Sequence, residues 1–509
     1  MTSASVFLLL ASGIFVTGLL IYESKRFSIG YIHYFKNLFA EFGISRTLMG
    51  IFGIIVTILY VYLFVAASLF STRFWQAIYF LVFCSAIFVE YSSMKGYGRF
   101  TVPSDYLSAY YSDHGIWADS IKNYFDLKSI LVVLCYGLLL LLSQPMKGGN
   151  WQLFVFVIMV SALINLAMAN YIKEGTFPTL SVSAFLRTIF LLPRLSKGLL
   201  PRQSLEFTSD KQPALNIVLI VDESIRADHL SLNAYERSTT KYLGDLHSSG
   251  LLYNYQSILA NANSSLPSNG IILTGARKSD REGMNRLPSI FQYARCMNYK
   301  TLLFDGWGPN FWLGKAGDLK YINQWQNIRN FWKTPVFGVD HEIAIRINEI
   351  IKQSVGNFIW VNKRGAHFDY NNNYPANSAV WQPVWQSSDR LDKLDESARE
   401  RLINSYDNAI VYNIDDFFRT IVAGVDLNSS VMIYTSDHGQ TLGDDGVFST
   451  HARQVKGVME VPFFVVSGKE FHLKKIASPS HENIFPTLLS VMGVPKDHWA
   501  SAYSDSLLQ

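Results

Sequence analysis

The sequence predicts two units of different class: an α-helical membrane domain of about five spans over residues 1–171, and an α/β domain with a mostly parallel central sheet covered by helices over residues 214–509. Three observations carry this. The long apolar runs of the 509-residue chain fall mostly before residue 172. From residue 214 onward, short β-rich runs alternate with helical periodicity, the pattern of a parallel sheet with helices on both faces. Several of those β-runs end in acids or precede histidine, as expected where strand ends converge on a site.

The helical part rests on length. Crossing a hydrocarbon layer of about 30 Å takes about 20 apolar residues. Residues 4–22, 48–70, 75–93, 129–143 and 151–171 meet or approach this, the fourth ("SILVVLCYGLLLLLSQ") being short. The first lacks a basic leader and a small-residue cleavage site, so a retained anchor is expected. Basic residues in two connecting segments (Lys25, Arg26, Lys36, Arg46; Lys95, Arg99, Lys122, Lys128) would put the C-terminal half in the cytoplasm by the positive-inside rule. Residues 172–213 form a linker with Pro178, Pro193, Pro201 and Pro213 among basic residues. An interfacial helix and an ordinary connector fit it equally.

Composition narrows the function classes. Hydrophobic residues make up 49% and charged ones 17%, and the net charge of +4 is too small to argue for nucleic acid. The cysteines are Cys84, Cys135 and Cys296, so the polar half has no internal disulfide and no thiolate zinc site.

In the polar half, strands are expected at 216–221, 301–304, 357–361, 430–436 and 462–466, and helices at 286–298, 338–354, 390–421 and 481–492. The first strand runs into Asp222-Glu223, the second into Asp305-Gly306-Trp307. The third is followed by Lys363, Arg364 and His367, the fourth by Asp437-His438-Gly439. A carboxylate and an imidazole side by side, with Gly439 freeing the backbone to turn, suit zinc or a similar divalent ion. His451 follows in "STHARQ". "NSSLPSNG" (263–270) offers Ser264 and Ser265 as nucleophiles at a helix start, where backbone N–H groups favour phosphate oxygens. A serine hydroxyl needs a metal or base to become reactive near neutral pH. Taken alone, that segment reads more readily as a polar loop capping a helix, about three to one.

The ordered set "VDES…RADHLSLNAY", "NSSLPSNG", "NKRGAHFDY", "SDHGQTLGDDG" and His451 resembles the alkaline phosphatase/sulfatase superfamily, and within it the bacterial inner-membrane phosphoethanolamine transferases. The resemblance spans nearly the whole chain. It implies a sulfatase-like catalytic domain in the periplasm behind a multi-pass anchor in the inner membrane, against the loop-charge count. Long amphipathic loops and exported domains blunt that count. Carried over by position, it implies Glu223, Asp437 and His438 as zinc ligands, with Ser265 at the metal. Asp222 stands as a further ligand or a neighbour of the ligands, and one or two metals stay open. His367 and His451 are implied at the substrate. Ser265, two residues before Pro267, is favoured over Ser264 as nucleophile, and Asn269, Lys363 and Asp305 are substrate-side candidates. Three features depart from the family: serine replaces its usual threonine, its disulfides are missing, and Asp222 stands where some transferases have glycine but phosphatases and sulfatases a ligand aspartate; Asn269, standing where sulfatases carry arginine, favours a plain serine nucleophile. The implied donor is phosphatidylethanolamine, and the implied acceptor a lipopolysaccharide or other envelope glycan. The alternatives are a phosphoglycerol transferase, phosphodiesterase or sulfatase with the same metal core, or an inactive membrane-anchored binding protein.

Overall fold

The structure, a computed structural model, describes residues 3–26, 51–52, 54–97, 100–101, 106, 125–143, 180–186, 188–189, 202–280, 282–307, 318–331, 333–386, 388–389, 391, 394–444, 451 and 454–508. The expected span 151–171 and, in the linker, 172–179, 187 and 190–201 lie outside these residues. The chain divides into two compact units, Met1–Tyr110 with His114–Lys197, and Tyr111–Asp113 with Gly198–Gln509.

In the first unit, helices α1 (Ser3–Arg26), α2 (Ile54–Leu69), α3 (Arg73–Tyr97) and α4 (Ser129–Leu142) follow the apolar runs. They share a core that includes Val16, Leu19, Phe64, Phe83, Ile87 and Tyr136. The opposite faces are also apolar: Leu131, Leu134, Leu138, Leu141 and Leu142 of α4 are exposed. A helix apolar all round suits a lipid surround. Among the described residues one helical stretch, Arg73–Lys95, is long and apolar enough to cross a membrane. The 14 residues of α4 rise only about 21 Å, short of the hydrocarbon thickness.

The second unit is built on seven strands: β1 (Asn216–Asp222), β2 (Leu252–Leu259), β3 (Lys300–Asp305), β4 (Gln324–Asn327), β5 (Asn357–Asn362), β6 (Ser430–Ser436) and β7 (Glu460–Val466). Their order is β2-β7-β6-β1-β5-β3-β4. β1 lies between β5 and β6, parallel to both, so both its edges are paired; both faces are covered by cores and every residue is buried. Its side chains alternate between two cores. Val218 and Ile220 face one; Ile217, Leu219 and Val221 face the other.

The helices of this unit are α5 (Lys241–Ser248), α6 (Ser265–Thr274), α7 (Ile290–Cys296), α8 (Val339–Gln353), α9 (Glu396–Ile410) and α10 (Ile484–Met492). α5, α8 and α9 cover the first face through residues such as Leu243, Ile343 and Leu402. α6, α7 and α10 cover the second through Ile272, Phe291 and Phe485. α9 continues as a π-helical turn, Val411–Asp416, into a last α-turn, Phe417–Ile421.

The sheet is mixed rather than uniformly parallel. β7 runs antiparallel to β6 and to β2. β7 therefore starts beside the carboxyl end of β6, at the same edge of the sheet. β2 and β4 were not among the expected strands. They are the two edges, and β4 reads "QWQN" with every residue half-buried, so neither an apolar run nor alternation marks it.

Candidate active site

Strand register does the first assembly step. Asp222 of β1 pairs with Ser436 of β6, so the next residues, Glu223 and Asp437, leave the sheet side by side. Ser436 holds this tip: its Oγ accepts from the Ile225 N–H at 2.9 Å and donates to the His438 carbonyl at 2.8 Å. Ser224 follows at φ 64°, a left-handed conformation that a non-glycine residue adopts at some cost. There its N–H reaches Asp437 Oδ1 at 3.2 Å and its hydroxyl reaches Glu223 Oε1 at 2.7 Å. Sequence reasoning passed over Ser224, because a positive φ leaves no mark in composition. Gly439 supplies room rather than a turn: a Cβ there would sit 2.1 Å from the Gly457 carbonyl oxygen.

Glu223, Asp437 and His438 are buried, and each offers a ligand atom within 4.8 Å of the others. The His438 Nδ1–H donates to the Gly439 carbonyl at 2.8 Å, which leaves Nε2 as the lone-pair nitrogen. Nε2 is buried without a hydrogen-bond partner among the described residues. It lies 3.3 Å from Glu223 Oε1 and 3.6 Å from Asp437 Oδ2. An orphaned imidazole nitrogen facing two carboxylates fits a divalent cation with oxygen and nitrogen donors, and the Nδ1 hydrogen bond is the usual outer support of such a ligand. Burial raises the Glu223 carboxyl, but the imidazoles of His438 and His367 outweigh this and hold it well below the ordinary range. Burial and the neighbouring Glu223 push Asp437 up.

Ser265 opens α6. Ser264 is its N-cap, in extended conformation, and Pro267 occupies the first turn, where a missing N–H costs nothing. The Ser265 hydroxyl donates to Glu223 Oε2 at 3.0 Å. Of the two candidate serines, Ser265 is therefore the one that touches the trio by a described hydrogen bond. Asn269 lies one turn further along α6, buried, and its Oδ1 has no hydrogen-bond partner among the described residues.

The two expected histidines differ in setting. The His451 ring stacks on His438 with centroids 4.5 Å apart, and its Nδ1 meets the Asn263 carbonyl at 2.8 Å. Burial and the adjacent His438 push its pKa down to about 3. His367 stands edge-on to Trp307, centroids 5.0 Å apart, and burial lowers its pKa. The Arg364 guanidinium lies 4.0 Å from the centroid of the same indole. The loop is pinned from α8: Asp340 accepts the N–H groups of Arg364 and Gly365, both at 2.9 Å. Asp340 precedes this loop by more than twenty residues, and no spacing rule points to it.

Three expected residues sit elsewhere than a ligand or substrate position. Asp222 does not join the trio. Its Oδ2 accepts from Lys363 Nζ at 2.7 Å and from the Tyr434 hydroxyl at 2.8 Å. Burial raises its pKa to about 6 although Lys363 opposes the shift. Lys363 is itself fully buried, pointing into the fold, so it cannot meet a phosphate in a cleft. Asp305 is also fully buried and accepts from Asn362 Nδ2 at 2.9 Å and the Trp307 N–H at 3.1 Å; burial raises it to about 7. Its effect on a substrate would pass through Trp307. Asp445 and Gly446 of the "SDHGQTLGDDG" stretch lie outside the described residues. Asp444, just before them, pairs with Arg226 and Arg399. His229 is buried with Nδ1 2.7 Å from Asp407 Oδ1.

The chain is 24% identical over 480 residues to phosphoethanolamine transferase EptA of Helicobacter pylori, covering 85% of this chain and 84% of that one. Its fold is similar to the integral membrane protein lipooligosaccharide phosphoethanolamine transferase A (EptA) of Neisseria meningitidis, at a TM-score of 0.60 and 15% identity, over 93% of this chain and 95% of that one. It is also similar to the C-terminal periplasmic domain of EcEptC from Escherichia coli in complex with zinc, at a TM-score of 0.50 and 18% identity, over 61% of this chain and 96% of that one. Residues 215–494, which hold every residue of the site, match the sulfatase family, and the chain belongs to that family.

Proposed function

We propose that this protein transfers phosphoethanolamine from phosphatidylethanolamine to a lipopolysaccharide acceptor, on its lipid A or core, through a covalent intermediate on Ser265. The observation that carries the reading is the Ser265 hydroxyl, 3.0 Å from Glu223 Oε2, at the rim of a buried Glu223–Asp437–His438 trio. Its H. pylori relative is a phosphoethanolamine transferase.

Zinc held by Glu223, Asp437 and His438 would lower the pKa of the serine hydroxyl and offset charge on the phosphoryl group. The chain's own residues do the rest. Glu223, kept ionised, accepts the hydrogen bond that orients Ser265 Oγ. Oγ attacks phosphorus, a Ser265 O–P bond forms, and the P–O bond to diacylglycerol breaks, that oxygen leaving with a proton. The first turn of α6 presents backbone N–H groups to the phosphoryl oxygens. In the second step an acceptor oxygen attacks, and Ser265 regains its proton as its O–P bond breaks. The acceptor's proton passes to the departing serine oxygen, and His451, held at the Asn263 carbonyl, is assigned to position that incoming hydroxyl. His367, steadied by Trp307, is assigned to bind a phosphoryl oxygen. The lipid donor gives the apolar helices a purpose, since a membrane anchor keeps enzyme and donor on one surface. The reading places the sheet domain in the periplasm beside the inner membrane.

The test is a single-turnover incubation of the full chain in phosphatidylethanolamine nanodiscs with head-group-labelled donor. Label is expected on the Ser265 peptide and absent in Ser265→Ala, with zinc content unchanged. Label retained in Ser265→Ala would remove the serine from the mechanism. Phosphoglycerol transfer or formylglycine at Ser265 would shift the reading to a sister chemistry.

A further inference from the structure

The carboxyl ends of β1 and β6 crowd three carboxylates, Asp222, Glu223 and Asp437, into the interior. Such a cluster persists only if opposite charge accompanies it. One divalent ion held by the trio would balance its two carboxylates. Asp222 has its own counter-ion: both it and Lys363 are 0% exposed at the side chain, with Nζ 2.7 Å from Oδ2. The ammonium is fully engaged. It also donates to the Asn413 carbonyl, which comes from the π-helical turn after α9, and it lies 4.1 Å from the centroid of Phe417. Asp222 is engaged as well, by the Tyr434 hydroxyl on Oδ2 and by the Glu223 N–H on Oδ1 at 3.0 Å.

We propose that the Lys363 ammonium fills the cation position beside Asp222, so the centre takes one divalent ion and no second. This rests on reading Glu223, Asp437 and His438 as a metal site. Lys363 is a positioning residue: its pair with Asp222 sets the Glu223 backbone through the N–H bond to Oδ1. A second dication at Asp222 would have to expel an ammonium already held by a carboxylate, a carbonyl and an aromatic face. Removing the ammonium exposes the opposite preference. Asp222 Oδ2, the Asn413 carbonyl and the Tyr434 hydroxyl would then line a negatively charged, oxygen-only space, which suits a hard divalent ion.

The test is metal content of the full-length protein after equilibrium dialysis against buffered zinc plus magnesium, read by elemental analysis. Wild type is expected to hold one zinc and no second ion. Lys363→Ala is expected to hold two ions per chain, the second lost in Asp222→Asn/Lys363→Ala. A Lys363→Ala protein that stays at one ion overturns the proposal and leaves the trio reading intact. Wild type that takes a second ion, lost in Asp222→Asn, overturns it equally. Should Lys363→Ala fail to fold, the wild-type and Asp222→Asn contents decide: one ion in both supports the proposal. No ion in wild type overturns the trio reading and the proposal together.

Discussion

Gly365 links the metal trio to the histidine loop, and replacing it by alanine should damage both. Its φ is +54°, and a Cβ there would lie 2.2 Å from Asp222 Oδ1, 2.6 Å from the Glu223 carbonyl oxygen and 2.9 Å from the Glu223 nitrogen. The left-handed backbone costs an alanine about 1–2 kcal/mol. The clash is with backbone and a pinned carboxylate, not a flexible chain end, so overpacking adds about 1–3 kcal/mol. The sum is roughly 2–5 kcal/mol, or a fall in thermal midpoint of about 4–15 °C at about 2–3 °C per kcal/mol for a domain of this size. Relief by moving Glu223 would also loosen zinc, by about 10–100-fold if it behaves like other disturbed ligand supports. The assay is thermal unfolding with chelator competition on the full chain. Gly250→Ala is the control: φ is +74° and nothing lies within 4 Å of the added Cβ, so it carries the backbone cost alone. If Gly365→Ala matches Gly250→Ala in midpoint and keeps wild-type zinc affinity, the packing argument is wrong.

Two further predictions address the surroundings of the site. Asp340→Asn keeps the shape but removes the charge and one of two acceptors that fix the Arg364 and Gly365 N–H groups, so the His367 loop loosens. Turnover should fall about tenfold or more, from the roughly 1.5–3 kcal/mol of a charge-assisted bond, with zinc content unchanged; coincident zinc loss would contradict this. His481 is buried, with Nε2–H donating to the Ser436 carbonyl at 2.9 Å, and burial lowers its pKa from 6.5 to about 4. The unfolded chain binds that proton first, so the stability from neutral His481 is complete above pH 6.5 and drains as pH falls toward 4, by about 3 kcal/mol in all. Asp222 and Asp305, with raised values, act in the opposite sense, so the readout is the difference between wild type and His481→Gln in urea midpoint from pH 7.5 to 4.5. A pH-independent difference would refute it.

What the sequence shows and hides at this site follows from which forces leave a local trace. The central strands were legible because burial on both faces demands apolar runs, and the acids at their ends broke those runs abruptly. The local sequence marked a helix start at Ser264 and Ser265, and only the family resemblance, with its reactive residue two before Pro267, favoured Ser265. The edge strands β2 and β4 were not, since half-exposed residues carry neither signal. Ser224 was hidden because its part is a dihedral angle, and Asp340 and Asn413 because they act on a loop distant in the chain. Lys363 and Arg364 make the point most sharply. Adjacent and of like charge, they look alike in the sequence, yet they leave the end of β5 on different courses. Lys363 turns inward to Asp222, while Arg364 lies against Trp307. A buried carboxylate on the neighbouring strand decides which basic residue serves the scaffold, and that is a fact about sheet register that only the folded chain displays.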